Sequence, residues 1–228
     1  MPRPALDQET QLLQDEVLLL GNMVEQAMLS AVDALKQRDS QAAKVIERAD
    51  EQINEKRYAI ENRVLIHFAR QQPMAHDLRL LAAILEVITE LERMGDYAKG
   101  IAKITIRIAD DETPIPIQEI SDMADLAVSM LHRALGAFVT EDTSLAYNIP
   151  HEDDQVDKLY NYVHRKMIQN MIANPESIDH GSLITWVAHN IERMADRVTN
   201  ICERTVFIAT GELLEMAGSD DEWEEEEG

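Results

Sequence analysis

A chain of 228 residues that is 45% apolar but only 4% aromatic, with eight Gly and seven Pro, is poor material for a β-sandwich or barrel. Ala, Leu, Ile, Met, Glu and Arg dominate, all good helix formers, so the expected fold class is all-α. Its 43 acidic and 21 basic residues give a net charge of −22, which repels nucleic acid and anionic membrane surfaces.

Six periodic segments follow one another. Residues 6–37 carry Leu13, Val17, Leu20, Val24, Ala27, Ala31 and Leu35 at three-four spacing, a helical stripe. Arg38-Asp39-Ser40 turns the chain into a second helix over residues 40–69, and Pro73 follows its end. A third helix spans residues 74–109. The clearest linker runs through Asp110-Asp111-Glu112-Thr113-Pro114-Ile115-Pro116. A fourth helix is expected over 117–138 and a fifth over 143–172, with Pro150 kinking the fifth or delaying its start. After Asn174-Pro175, Asp179-His180-Gly181-Ser182 precedes a sixth helix ending near Gly211, a C-cap glycine.

The expected architecture is two pseudo-symmetric three-helix bundles in tandem, with sequential helices antiparallel. Their bounds are residues 1–110 and 117–213, joined by a linker at 111–116. Residues 214–228, with Asp220-Asp221-Glu222 and four consecutive Glu, read as a disordered acidic tail. The lone Cys202 excludes an internal disulfide, and in its helical stripe it reads as a core residue. Met1-Pro2-Arg3-Pro4 leads into Gln and Glu rather than an apolar run. The longest aliphatic run, Val17-Leu18-Leu19-Leu20, falls far below the ~18 apolar residues of a membrane span. A soluble, cytoplasmic protein is expected.

Leu91-Glu92-Arg93-Met94-Gly95-Asp96 returns as Ile191-Glu192-Arg193-Met194-Ala195-Asp196. Upstream, Asp50-Glu51-Gln52-Ile53-Asn54 resembles Asp153-Asp154-Gln155-Val156-Asp157. One unit is used twice. Residues four apart share a helix face, so Glu92/Asp96, Glu192/Asp196, Asp50/Asn54 and Asp153/Asp157 each present a pair of oxygen-bearing side chains. If the second and third helices of each unit face one another here, each unit offers a cation site. Hard oxygen ligands suit Mg, Ca and Mn, and carboxylate-rich bundles also hold iron.

Thr89, Lys99, His164, His189, Asn200 and Glu203 stand near enough in register to join such a site. The plainer reading is a solvated acidic face neutralised by Arg93, Arg193 and Arg197 as surface ion pairs. None of the seven histidines has a Glu three residues earlier, so the Glu-x-x-His signature of di-iron bundles is absent. There is no Gly-x-x-x-x-Gly-Lys loop either.

The duplicated motif, with its continuations Tyr97-Ala98-Lys99-Gly100-Ile101 and Val198-Thr199-Asn200-Ile201-Cys202-Glu203, resembles the PhoU family over residues 6–213. That resemblance implies a cytoplasmic regulator of phosphate homeostasis rather than an enzyme. It implies restraint of the phosphate-specific ABC transporter, through its ATPase subunit, and of a phosphate-responsive sensor histidine kinase. Contact with the membrane would come only through such partners, and a homodimer is expected. The resemblance also implies metal, iron or zinc and in some members of the family as multinuclear clusters, at Glu92, Asp96, Glu192, Asp196, Asp50, Asp153 and Asp157. Asn54 departs from the pattern, so the two sites are expected to differ. The competing reading is a carboxylate-bound multinuclear metalloenzyme on a helical bundle; a third is a metal-free scaffold.

Overall fold

The computed structural model describes residues 3–71 and 73–216; the acidic tail beyond Met216 lies outside the described residues. Three long helices come first: α1 (Arg3–Gln37), α2 (Ser40–Gln71) and α3 (His76–Ile108). The second half contains α4 (Ile117–Thr140), α5 (Thr143–Asn148), α6 (Asp153–Ala173) and α7 (Ile178–Thr210). No strand occurs among the described residues.

Local chemistry sets the breaks. Arg38 adopts φ 52°, and the Asp39 carboxylate accepts hydrogen bonds from the Gln41 and Ala42 amides at 2.9 Å, satisfying donors at the start of α2. Asp142 caps α5 in the same way through the Leu145 amide at 3.0 Å. The single fifth helix expected over 143–172 is divided instead. α5 gives way to a 3-10 turn, Ile149–Glu152, before α6 begins. Pro150 lies in that turn, where it has no amide to donate and crowds the preceding turn. The last helix starts earlier than its polar run indicated, because a 3-10 turn at Pro175–Ser177 leads directly into it. Asp179 through Ser182 are therefore helical, and His180 is buried with Nδ1 2.9 Å from Asp111 Oδ2. Gly211 ends α7 at φ 82°, its amide donating to the Phe207 carbonyl at 2.9 Å.

The two halves are fused rather than strung together. Leu20 and Val24 of α1, Ile84 and Leu91 of α3, Leu131 of α4 and Ile191 and Val198 of α7 belong to one continuous apolar core. Full burial of such side chains stabilises by about 1.5–3 kcal/mol each. α3 lies against α7, and α1 against α4. Gly21 makes the second contact close, since a Cβ there would fall on Leu135 Cδ1. By length and composition, residues Gln8–Gln37 are apolar enough to cross a membrane, yet half of that window is buried within the bundle, as befits a core helix.

A polar seam joins α3 to α7. Glu90 accepts hydrogen bonds from Arg197 Nη1 at 3.1 Å and Asn200 Nδ2 at 3.2 Å. The Tyr97 hydroxyl accepts from Arg193 and Arg197, each at 3.3 Å. Arg204 Nε lies 2.7 Å from Glu86. The segment between α3 and α4 is held by Arg38, whose guanidinium donates to the carbonyls of Ile108, Asp111 and Thr113.

Candidate functional site

In the first half the predicted residues meet where α2 faces α3. Asp50 is only 5% exposed, and two donors reach its Oδ2: Lys99 Nζ at 2.7 Å and Asn54 Nδ2 at 3.1 Å. Lys99 Nζ also lies 3.6 Å from Asp96 Oδ1, one turn along its own helix. Its hydrogen bond to Asp50 raises the Lys99 pKa, so the ammonium is firmly charged. Burial, followed by the Asp96 charge, raises the Glu92 pKa; Arg57 opposes this and Asp50 adds to it. Gly95 permits the close approach of the helices, because a Cβ there would stand 3.1 Å from Ile53 Cδ1 and 3.7 Å from Asp50 Oδ1.

The second half builds a different site on the same plan. Asp153, 3% exposed, opens α6 and joins Asp196, Thr199, Asn200, Glu203 and Arg204 of α7 along a groove of about 560 Å³. The chain after α7 folds back over it: Leu213 to Met216 line its other side, and the Met216 amide donates to Glu203 Oε1 at 2.8 Å. Thr199 is 6% exposed, and its hydroxyl has no hydrogen-bond partner among the described residues. Glu192 and the half-buried Asp157 do not line this groove. Glu192 Oε2 lies 3.1 Å from His189 Nδ1.

A ring cluster flanks Glu192. Tyr160 stands 5.9 Å from His164 and 6.1 Å from His189, and Trp186 meets His189 edge-on at 5.4 Å. Burial, then the Glu192 charge, raises the Tyr160 pKa; burial, then Arg193, lowers that of His189.

Of the accessory residues anticipated, Lys99, His189, Asn200 and Glu203 are at these sites, while the Thr89 hydroxyl is spent on the Leu85 carbonyl of its own helix. Arg93 and Arg197 both pair with Glu90, and Arg93 also acts electrostatically on Glu92; Arg193 binds Tyr97 and lies close enough to Asp196 to feel its charge. Sequence reasoning missed Arg57, Tyr160, Trp186 and Glu90. Aligning Asp50 with Asp153 puts Arg57 opposite Tyr160, so that signal was available; nothing local marks Glu90 as a seam residue. Cys202 is fully buried, its thiol pushed up to about 12 by burial.

Among the described residues, no three His, Cys, Asp or Glu side chains stand together as a ready-made metal cage. The halves differ in how well they suit a metal. The first already holds an ammonium against its most buried carboxylate. The second gathers oxygen donors, Asp153, Asp196, Thr199 and Asn200, on an open groove. That set fits a hard divalent cation that keeps part of its water shell.

The helical repeat has close counterparts elsewhere. A model of the PhoU domain matches twice, at residues 17–105 and 120–205, once in each half. The chain is 31% identical over 217 residues to the phosphate-specific transport system accessory protein PhoU homolog of Clostridium acetobutylicum, covering 95% of this chain and 99% of that one. Against the Escherichia coli protein PhoU, identity is 30% over 213 residues, covering 93% and 88%. The crystal structure of the phosphate transport system regulatory protein PhoU from Streptococcus pneumoniae superposes with a TM-score of 0.86 at 33% identity, over 92% of this chain and 100% of the other. PhoU from Pseudomonas aeruginosa gives 0.85 at 30%, over 90% and 99%. With the domain matched in both halves and the similarity running through nearly the whole chain, this protein belongs to the PhoU family.

Proposed function

We propose that this protein is a cytoplasmic regulator of phosphate transport that acts through protein contacts and performs no catalysis. The observation that carries the reading is similarity along almost the full length of both partners to proteins named as accessory or regulatory components of phosphate transport. The targets are the ATPase subunit of the phosphate-specific transporter and the phosphate-responsive sensor kinase, both restrained when phosphate is plentiful, with the protein working as a homodimer. Metal at the acidic motifs belongs to the same reading. An all-oxygen donor set favours a hard ion such as Mn²⁺ or Mg²⁺, and carboxylate-rich bundles also hold iron, whereas zinc prefers nitrogen and sulfur.

The metalloenzyme alternative draws no support from the site. Its histidines are packed into a ring cluster, and its one thiol is buried and protonated at neutral pH. The test is a strain lacking this gene, grown at high phosphate, with phosphate uptake and alkaline phosphatase measured. Both should rise and return to normal with the wild-type gene. Unchanged uptake and phosphatase in the deletion strain would overturn the assignment.

A further inference from the structure

Three of the pairs of equivalent positions around the two acidic clusters differ in the same electrostatic sense; Arg204, which lines the second groove where the first half has Ile104, runs the other way but is held by Glu86 at 2.7 Å. Asn54 stands where the second half has Asp157, Arg57 where it has Tyr160, and Lys99 where it has Thr199. Each first-half residue contributes a proton donor or a positive charge to its cluster. Asn54 and Lys99 donate to the same oxygen of buried Asp50, and Arg57 acts electrostatically on Glu92. At the corresponding second-half positions are a carboxylate, a neutral ring beside Glu192 and a hydroxyl.

From this we infer that the two motifs are not two metal sites: Lys99 is the resident cation of the first half, and metal binding is confined to the second. The inference rests on metal binding at the acidic motifs, as proposed for this protein's function.

Lys99 excludes a metal from the first cluster for a simple reason. Its ammonium sits 2.7 Å from Asp50 and 3.6 Å from Asp96, against both carboxylates that would have to hold a metal there. A divalent ion entering there would have to displace a salt-bridged ammonium or be repelled by it at close range. In the second half two observations point to a ligand. Asp153, Asp196 and the nine-tenths-buried Thr199 line an open groove, and the Thr199 hydroxyl has no protein partner among the described residues. A hydroxyl oxygen has lone pairs to offer a cation and needs no displacement.

The test uses the full chain, stripped of metal and titrated with Mn²⁺, with the bound ion counted by native mass spectrometry and its environment read by electron paramagnetic resonance. Wild type and the Glu92→Gln/Asp96→Asn variant are expected to bind the same amount of Mn²⁺, and the Asp153→Asn/Asp196→Asn variant none. Thr199→Lys, which installs the first half's ammonium in the second, should weaken binding by about tenfold or more. The converse transplant, Asn54→Asp with Lys99→Thr, should add a second site. Circular dichroism confirms that each variant is folded, and Thr199→Lys decides the matter if the transplant is not. Loss of part of the bound Mn²⁺ in the Glu92→Gln/Asp96→Asn variant would overturn the asymmetry while leaving metal binding intact. No Mn²⁺ on the wild-type chain would remove both.

Discussion

The two halves share a backbone plan and diverge in what they do with it. α2 runs unbroken for 32 residues and brings Asp50 against α3, where Lys99 and Asn54 meet it. Its counterpart is interrupted at Ile149–Glu152, so Asp153 opens α6 instead of lying mid-helix, and its carboxylate lines a groove. Four positions carry carboxylates in the second half, whereas the first has three and an ammonium at the position of Thr199. Duplication here preserves the backbone plan more faithfully than the charges placed on it. A helix stripe tolerates any apolar residue, while a cation site changes character when one neighbour gains a charge.

The largest effect that would test this contrast is at Lys99. In metal-free protein, Lys99→Met should cost about 2–4 kcal/mol in urea unfolding, because buried Asp50 then loses its counter-charge. Adding Asp50→Asn should recover most of the loss. Thr199→Val should shift stability by less than about 1 kcal/mol, since it removes a hydroxyl with no partner among the described residues. Equal costs at the two positions would refute an electrostatic difference between the halves.

A second measurement concerns whether the halves stand or fall together. Glu90→Ala leaves Arg197 and Asn200 without their shared acceptor on the α3/α7 seam, at an expected cost of about 1.5–3 kcal/mol. The continuous core should still unfold in a single transition. Two separated transitions would show that the seam, and not the shared core, couples the repeats.

The smallest effect involves the segment that joins them. Hydrogen bonds from Thr113, helped by His180, hold the Asp111 carboxyl down at about 2, against an ordinary 3.8. A depressed carboxylate contributes stability above its ordinary pKa and loses it as pH falls through the depressed one. The advantage of wild type over Asp111→Asn should therefore shrink between pH 4 and pH 2. Because this side chain is more than a third exposed, the effect should stay below about 1 kcal/mol. An undiminished gap at low pH would assign Asp111 a packing role instead.

Much of this was legible in the residues. Apolar spacing at three and four gave the helices; Pro150 marked the break in the fifth; Gly211 marked the end of the last. The repeated Glu-x-x-x-Asp located the acidic clusters, since i and i+4 share a helix face whatever the surroundings. The start of α7 was misplaced, because Asp179 and Ser182 look like a capping run and the preceding 3-10 turn leaves no trace in hydropathy. Arg193 and Arg197 look like neighbours of the acidic pair in sequence, yet they donate across to Tyr97, and Arg197 also to Glu90, because α7 packs on α3.

By itself, then, the sequence determined an all-helical repeat with paired carboxylates, because those features depend on spacing along one helix and on composition. Only the tertiary structure decided which charges meet. Lys99 is one of several cations near the motif, and its role follows from a 2.7 Å approach to a carboxylate 49 residues away on another helix. Thr199 lies on a groove only because the chain after α7 turns back beside it to form the other wall. Periodicity fixes which side of a helix faces inward; crossing and packing between helices fix which residue it finds there.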